Sequence, residues 1–234
     1  MPVLARRLNP LLRRWYARWI RLTGGSRVRV AGDGHHIHWN DARLRRCEVR
    51  ISGTGNRLEF GAGAMLWGAH IELRGHNLVC RLGAGLRVRG GTFILTDDHS
   101  RLEIGADTTM TGPTLVAQGG RRLSLGRDCM VAYGADLRCS DGHSVVDLAS
   151  GENLNPAADV RVGDHVWIGI HSQVLKGVEI ADHSIVAARS VVTRSVPGAS
   201  IVAGNPARVI RTGITWDRRR PLATTPLPDV SPLT

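Results

Sequence analysis

The sequence predicts an all-β chain wound as a parallel solenoid of three-sided coils, preceded by one amphipathic α-helix and followed by a Pro-rich tail. Three observations predict it. Aliphatic residues recur at six-residue intervals, most regularly at Val162, Ile168, Val174, Ile180, Val186 and Val192. A longer repeat overlies this one: Arg57-Leu58-Glu59-Phe60-Gly61, Arg101-Leu102-Glu103-Ile104-Gly105 and Arg122-Leu123-Ser124-Leu125-Gly126 look like copies of one coil start. Phe60, Leu82, Ile104 and Leu125 then stand 22, 22 and 21 residues apart. Aromatic residues make up only 4% of the chain while glycines number 28, which suits a narrow repetitive core better than a bulky one. A period of six fits neither a helix face, at about 3.6 residues, nor strand alternation at about 2. It fits a short strand and a turn with one inward aliphatic per side, three sides closing one coil. A sandwich of short strands is the alternative, but it would show turn signals every ~8–12 residues without a fixed rung.

Residues 1–25 read as a basic helix. Asn9 is a candidate N-cap, Pro10 suits the first helical position and Gly24-Gly25 suits the stop. Leu11, Leu12, Trp15, Tyr16, Trp19 and Leu22 share one face, and Arg13, Arg14, Arg18 and Arg21 the other. That is the pattern of a helix lying on an anionic membrane; packing on the solenoid or on a neighbouring subunit is the alternative. Residues 26–211 carry the repeat, which also runs through Leu82, Val88, Ile94, through Ile104, Met110, Val116, and through Leu125, Val131, Leu137. From Leu125 to Val162 the interval is 37 residues, so an insertion lies near 139–159, and it contains Ser140-Asp141-Gly142-His143-Ser144. Loops leaving a rigid scaffold are where chemistry tends to sit. Residues 212–234, with Pro221, Pro226, Pro228 and Pro232, read as a flexible tail.

The formal charge is +11, carried almost entirely by arginine, with Lys176 the only lysine. Such a balance favours anionic partners. Nucleic acid is not expected, because the aromatics do not interleave with the basic residues as a base-stacking platform requires. Cys47, Cys80, Cys129 and Cys139 form no CxxC and no metal-ligand spacing, and read as isolated buried thiols in a reducing compartment. The N-terminal apolar run is broken by Arg13, Arg14 and Arg18, unlike a signal peptide, and no run has the length of a membrane span. The expected location is cytoplasmic, with peripheral contact at the membrane's inner face.

His143 is the candidate catalytic base: imidazole accepts a proton near neutrality, and this histidine lies in the single insertion. Asp141 and Asp147 are candidates to orient its ring, with turn capping as the alternative for each. Cys139, four residues from His143, raises a Cys–His acyl-enzyme as a minor alternative.

The motifs His165-Val166-Trp167-Ile168-Gly169, Val191-Val192-Thr193 and Ala203-Gly204-Asn205-Pro206-Ala207 resemble the C-terminal half of hexapeptide-repeat acetyltransferases, relatives of the galactoside and maltose acetyltransferases. Asp141-Gly142-His143-Ser144 is similar to a loop of the O-acetyltransferases of bacterial capsule and lipopolysaccharide clusters. The detailed resemblance spans about residues 137–211. It implies left-handed coils, a homotrimer with sites between subunits, and transfer of acetyl from acetyl-CoA to a hydroxyl of a surface polysaccharide or its sugar precursor, including a lipid-linked one. It implies that Trp167 lines the acceptor pocket, with Gln118 near an acceptor-contacting coil. Ala187 and Ala188 would meet the pantetheine arm, and Thr193, Arg194, Arg208 and Arg211 the nucleotide end. Arg189 departs from the family's Gly-Ala-Gly and would either crowd that arm or point to solvent. No metal is expected. An amine acceptor on a nucleotide sugar, a zinc enzyme of the γ-class carbonic anhydrase type using His165 and His171, and an inactive scaffold are the alternatives.

Overall fold

The computed structural model describes residues 24–219. The helix expected over residues 10–22 and the end of the tail, 220–234, lie outside the described residues. Three sheets form the faces of a prism. The first face stacks eight strands from Arg27–Asp33 to Val191–Val192, and the second stacks seven from His36–His38 to Glu179–Ile180. The third runs from Arg43–Arg45 to Ser200–Gly204 and is closed by Ala207–Thr212. Every pairing is parallel except that last one, which is antiparallel.

The rungs seen in the sequence are register partners. Phe60, Leu82, Ile104, Leu125 and Val162 pair in turn on the second face. Leu66, Val88, Met110, Val131, Ile168 and Val186 do so on the third. All eleven are at least 96% buried and belong to one continuous core. Burying each large aliphatic contributes about 1.5–3 kcal/mol. On the first face the expectation needs correction. The inward column is Ile71, Phe93, Leu115 and Leu137, so Ile94 and Val116 are outward neighbours of core residues. The reason is coil length. Early coils take 22 residues, as Glu48, His70, Thr92 and Thr114 stack in turn. A strict six-residue rung holds only where the coil shortens to 18, as in Gln173 beside Val191 and Arg161 beside Glu179.

One corner explains the glycine of the coil-start motif. A Cβ on Gly61 would lie 2.3 Å from Ala84 N, one on Gly83 2.5 Å from Gly105 C, and one on Gly105 2.4 Å from Gly126 C. Backbone stacks there so closely that no side chain fits. Between the first and second faces, strand Asp136–Arg138 leads to a long excursion that returns at Val160–Val162. This is the insertion expected at 139–159.

Candidate active site

The inserted segment is an arm with its own hydrogen bonds. Cys139 N donates to Val116 O at 3.1 Å and Ala158 N to Cys139 O at 2.9 Å, so both ends are rooted in the prism. Further out, Val146 and Asn153 form an antiparallel bridge and Leu154 N donates to Val145 O. Asn155 organises the base: its Oδ1 accepts from Val145 N at 2.5 Å, and its Nδ2 donates to His143 O at 3.0 Å and to Asp141 Oδ2 at 2.7 Å. Lys176, on the turn after strand Gln173–Val174, reaches up from the prism. Its Nζ donates to Asp141 Oδ2 at 2.5 Å and to Asn155 O at 2.7 Å. The Lys176 ammonium, followed by the Asn155 amide, holds the Asp141 carboxyl below its ordinary value. Lys176, Asp141 and Asn155 thus clamp the backbone on both sides of His143.

His143 is exposed, and among the described residues its ring takes no hydrogen bond. Neither candidate orienting carboxylate reaches it. Asp141 is spent on Lys176 and Asn155. Asp147 Oδ1 accepts from Ala149 N, Ser150 N and Ser150 Oγ, which is turn capping, and these bonds hold its carboxyl low. Asn155 and Lys176 escaped the sequence reading, although the solitary lysine was a signal that could have found the second.

Trp167 opens the third-face strand Trp167–Ile168 and is 38% exposed. Gln118 is half-buried just after strand Thr114–Ala117, at the root of the arm, where Gly119 meets Ala157. Ala187 and Ala188 follow strand Ile185–Val186 at the corner between the third and first faces, with Ala188 exposed. Arg189, at φ 57° on that corner, is also exposed, so it does not pack over them. Thr193 and Arg194 are exposed after Val191–Val192, toward the second face. Arg208 and Arg211 are exposed on the antiparallel strand of the third face, where Arg208 donates only to Ala207 O. Arg194 thus stands on a different face from Arg208 and Arg211, which share one strand.

The tail begins differently from expectation. Residues 213–219 are a strap along the prism, because Trp216 is only 7% exposed and its neighbours are well bonded. Trp216 stacks on His165 at 4.2 Å between centroids, donates its indole N–H to His165 O at 2.7 Å, and comes within 6.2 Å of the Trp167 ring. Arg218 donates to Asp128 Oδ1 and to Thr109 Oγ1, both at 2.7 Å. Burial alone would raise the Asp128 carboxyl, but hydrogen bonds from His165 and Arg218 outweigh it and hold it low.

The minor alternatives lose their footing on the same geometry. Burial pushes the Cys139 thiol up to about 11, so the thiolate an acyl-enzyme needs is disfavoured. His165 has Nδ1 on Asp128 at 2.6 Å and Nε2 on Trp216 O at 2.9 Å, which leaves neither nitrogen for a metal. His171 sits on a different corner, edge-on to Tyr133.

A family model described as bacterial transferase hexapeptide (six repeats) matches residues 159–194. The chain is 34% identical over 131 residues to a polysialic acid O-acetyltransferase of Neisseria meningitidis, covering 56% of this chain and 60% of that protein. It is 31% identical over 138 residues to one of Escherichia coli O1:K1, covering 59% of this chain and 44% of that protein. The match thus spans less than two thirds of either relative. Among solved structures, the polysialic acid O-acetyltransferase OatWY superposes with a TM-score of 0.80 at 27% identity, over 83% of this chain and 93% of that one. The polySia specific acetyltransferase NeuO does so with 0.77 at 27% identity, over 85% and 92%. With its three parallel faces, its buried rungs and these similarities, the chain carries a hexapeptide repeat at residues 159–194 and folds as a left-handed parallel β-helix like that of the polysialic acid O-acetyltransferases it resembles.

Proposed function

We propose that this chain transfers acetyl from acetyl-CoA to a hydroxyl of a bacterial surface polysaccharide, with His143 as general base. The observation that carries the proposal is an exposed imidazole, free of hydrogen bonds among the described residues, on an arm clamped by Lys176, Asp141 and Asn155. An imidazole so held can take the acceptor hydroxyl's proton while the oxygen attacks the thioester carbonyl carbon. Collapse of the tetrahedral adduct breaks the carbon–sulfur bond, and the imidazolium returns the proton to the departing CoA thiolate. The acceptor class is drawn from the relatives named polysialic acid O-acetyltransferase, which this chain resembles. Acetyl-CoA as co-substrate fits the chemistry of the exposed arginines. Arg194, Arg208 and Arg211 have no acidic partner among the described residues, and guanidinium forks bind phosphate well.

The active unit is a homotrimer. His143 leaves the prism at the corner between the first and second faces, and in a triangular prism that corner lies opposite the third face, which carries Trp167. One chain does not join them, whereas the arm of one copy can reach the third face of the next. Val145, Val146, Leu148 and Leu154 expose apolar surface on that arm, which suits burial against a neighbour.

Thiol release from acetyl-CoA in the presence of polysialic acid and a panel of other glycans tests the reading. His143→Ala should lose about 10²–10⁴ in kcat while trimer and acetyl-CoA affinity persist. Near wild-type turnover by that variant would overturn the assignment.

A further inference from the structure

At the N-terminal end of the third face, two arginine-bearing strands flank an exposed aromatic. Strand Met65–Trp67 lies between Arg43–Arg45 and Arg87–Arg89, with Arg43, Met65 and Arg87 in one row and Arg45, Trp67 and Arg89 in the next. All six side chains point outward. Their alternates Leu44, Leu66 and Val88 are buried, and Trp67 and Met65 are 52% and 40% exposed. None of the four guanidiniums has an acidic partner among the described residues. The other two faces are different at the same level. Glu48 is engaged by Arg50, and Glu59 and Glu103 by Arg81. The nearest corner acid, Asp41, caps Gly63 N. Like charges set side by side repel, so four unpaired arginines around one tryptophan are costly for the fold alone.

We propose that this patch is a second glycan-binding site, holding an anionic polysaccharide chain remote from the reacting hydroxyl. Guanidinium forks suit the carboxylates of acidic sugars, and the Trp67 face offers a flat apolar platform to a ring between them. A second copy of this chain is a poor occupant at this level of the prism, because Glu48, Glu59 and Glu103 there are already engaged by its own arginines. Continuity favours a glycan over other polyanions. Trp67 and Trp167 lie on the same face, four strand spacings or about 19 Å apart. The rows between them carry neutral Thr109, Thr111 and Met130, and the strap's Arg218, already paired with Asp128, reaches this path by its hydrogen bond to Thr109 Oγ1. A polymer gripped at Trp67 could thus run along the face to Trp167. This inference rests on the proposed acceptor class; the binding itself does not require turnover.

The test uses full-length protein and the variant Arg45→Gln/Arg89→Gln/Trp67→Ala. Binding of long polysialic acid is measured first without acetyl-CoA, on a His143→Ala background, at two salt concentrations. The triple variant should weaken it by at least about tenfold and flatten its salt dependence. In turnover, the KM for the long polymer should rise by a similar factor. The kcat, and the KM for a di- or trisaccharide too short to span both sites, should stay within about twofold. Patch-dependent binding without any turnover of polysialic acid would keep this site and reject the proposed reaction. Unchanged long-chain binding would overturn the site. So would a changed oligomeric mass of the triple variant by light scattering, which would make the face an interface between copies. Equal patch-dependent affinity for RNA or for anionic vesicles would also overturn it.

Discussion

Lys176 carries the chain's only lysine ammonium and spends it on Asp141 and the Asn155 carbonyl. The clamp touches the His143 backbone, so in the proposed reaction Lys176 acts as a positioning residue. Lys176→Met should lower kcat by about 10²-fold, the scale of a small misplacement of a reacting group, with acetyl-CoA affinity and Tm little changed. Hydrogen exchange over residues 141–155 should quicken in parallel, and Lys176→Arg should restore part of both; unaltered exchange with full activity would remove the clamp from the mechanism. These roles were only partly legible in the sequence. His143 stood out through its motif and its place in the insertion. The parts of Asp141 and Asp147 did not, because spacing alone cannot say whether a nearby carboxylate meets a ring, a backbone amide or a lysine from the following coil.

At the level of elements, the stacked coil-start glycines and the strap each invite a measurement. Gly105→Ala would force a Cβ to 2.4 Å from Gly126 C, so the coil must shift. Such overpacking costs about 1–3 kcal/mol, and calorimetry should register a drop of several degrees in Tm. The strap should depend on pH through Asp128. Its carboxyl is held below the ordinary value of 3.8 in the folded chain. A depressed pKa contributes stability that is complete above that value and is lost as pH falls through the folded one. Wild-type protein should therefore show strap release, read as the fluorescence difference from Trp216→Phe, only as pH drops below 3.8. Asp128→Asn should show weaker docking at neutral pH. The coils were legible because inward aliphatics fill one shared column. The strap was not, because a single tryptophan among prolines and arginines carries no period.

For the whole molecule, the proposed homotrimer, with His143 of one copy meeting Trp167 of the next, would make assembly a condition of activity. Dilution below the trimer's dissociation range should abolish turnover, and mixing His143→Ala with Trp167→Ala protein should restore a fraction of it if the two residues meet across copies. A mixture as inactive as its parents, with exchange of subunits verified by mass, would show that each chain holds its own site. The basic helix expected at residues 10–22 adds a membrane-facing expectation. Full-length protein should co-sediment with anionic vesicles, and a chain lacking residues 1–23 should not; equal sedimentation would reject that role. Among the described residues, no helix is long and apolar enough to cross a bilayer.

The 22-residue register has one more consequence. Because Thr92 stacks between His70 and Thr114, removing residues 92–113 would let Thr114 dock directly on His70 and close the prism one coil shorter. The third face is then a ruler graduated in steps of about 4.8 Å. Its graduations can be cut out or duplicated one at a time, and the stretch of polymer lying between its two tryptophans would lengthen or shorten in the same quanta.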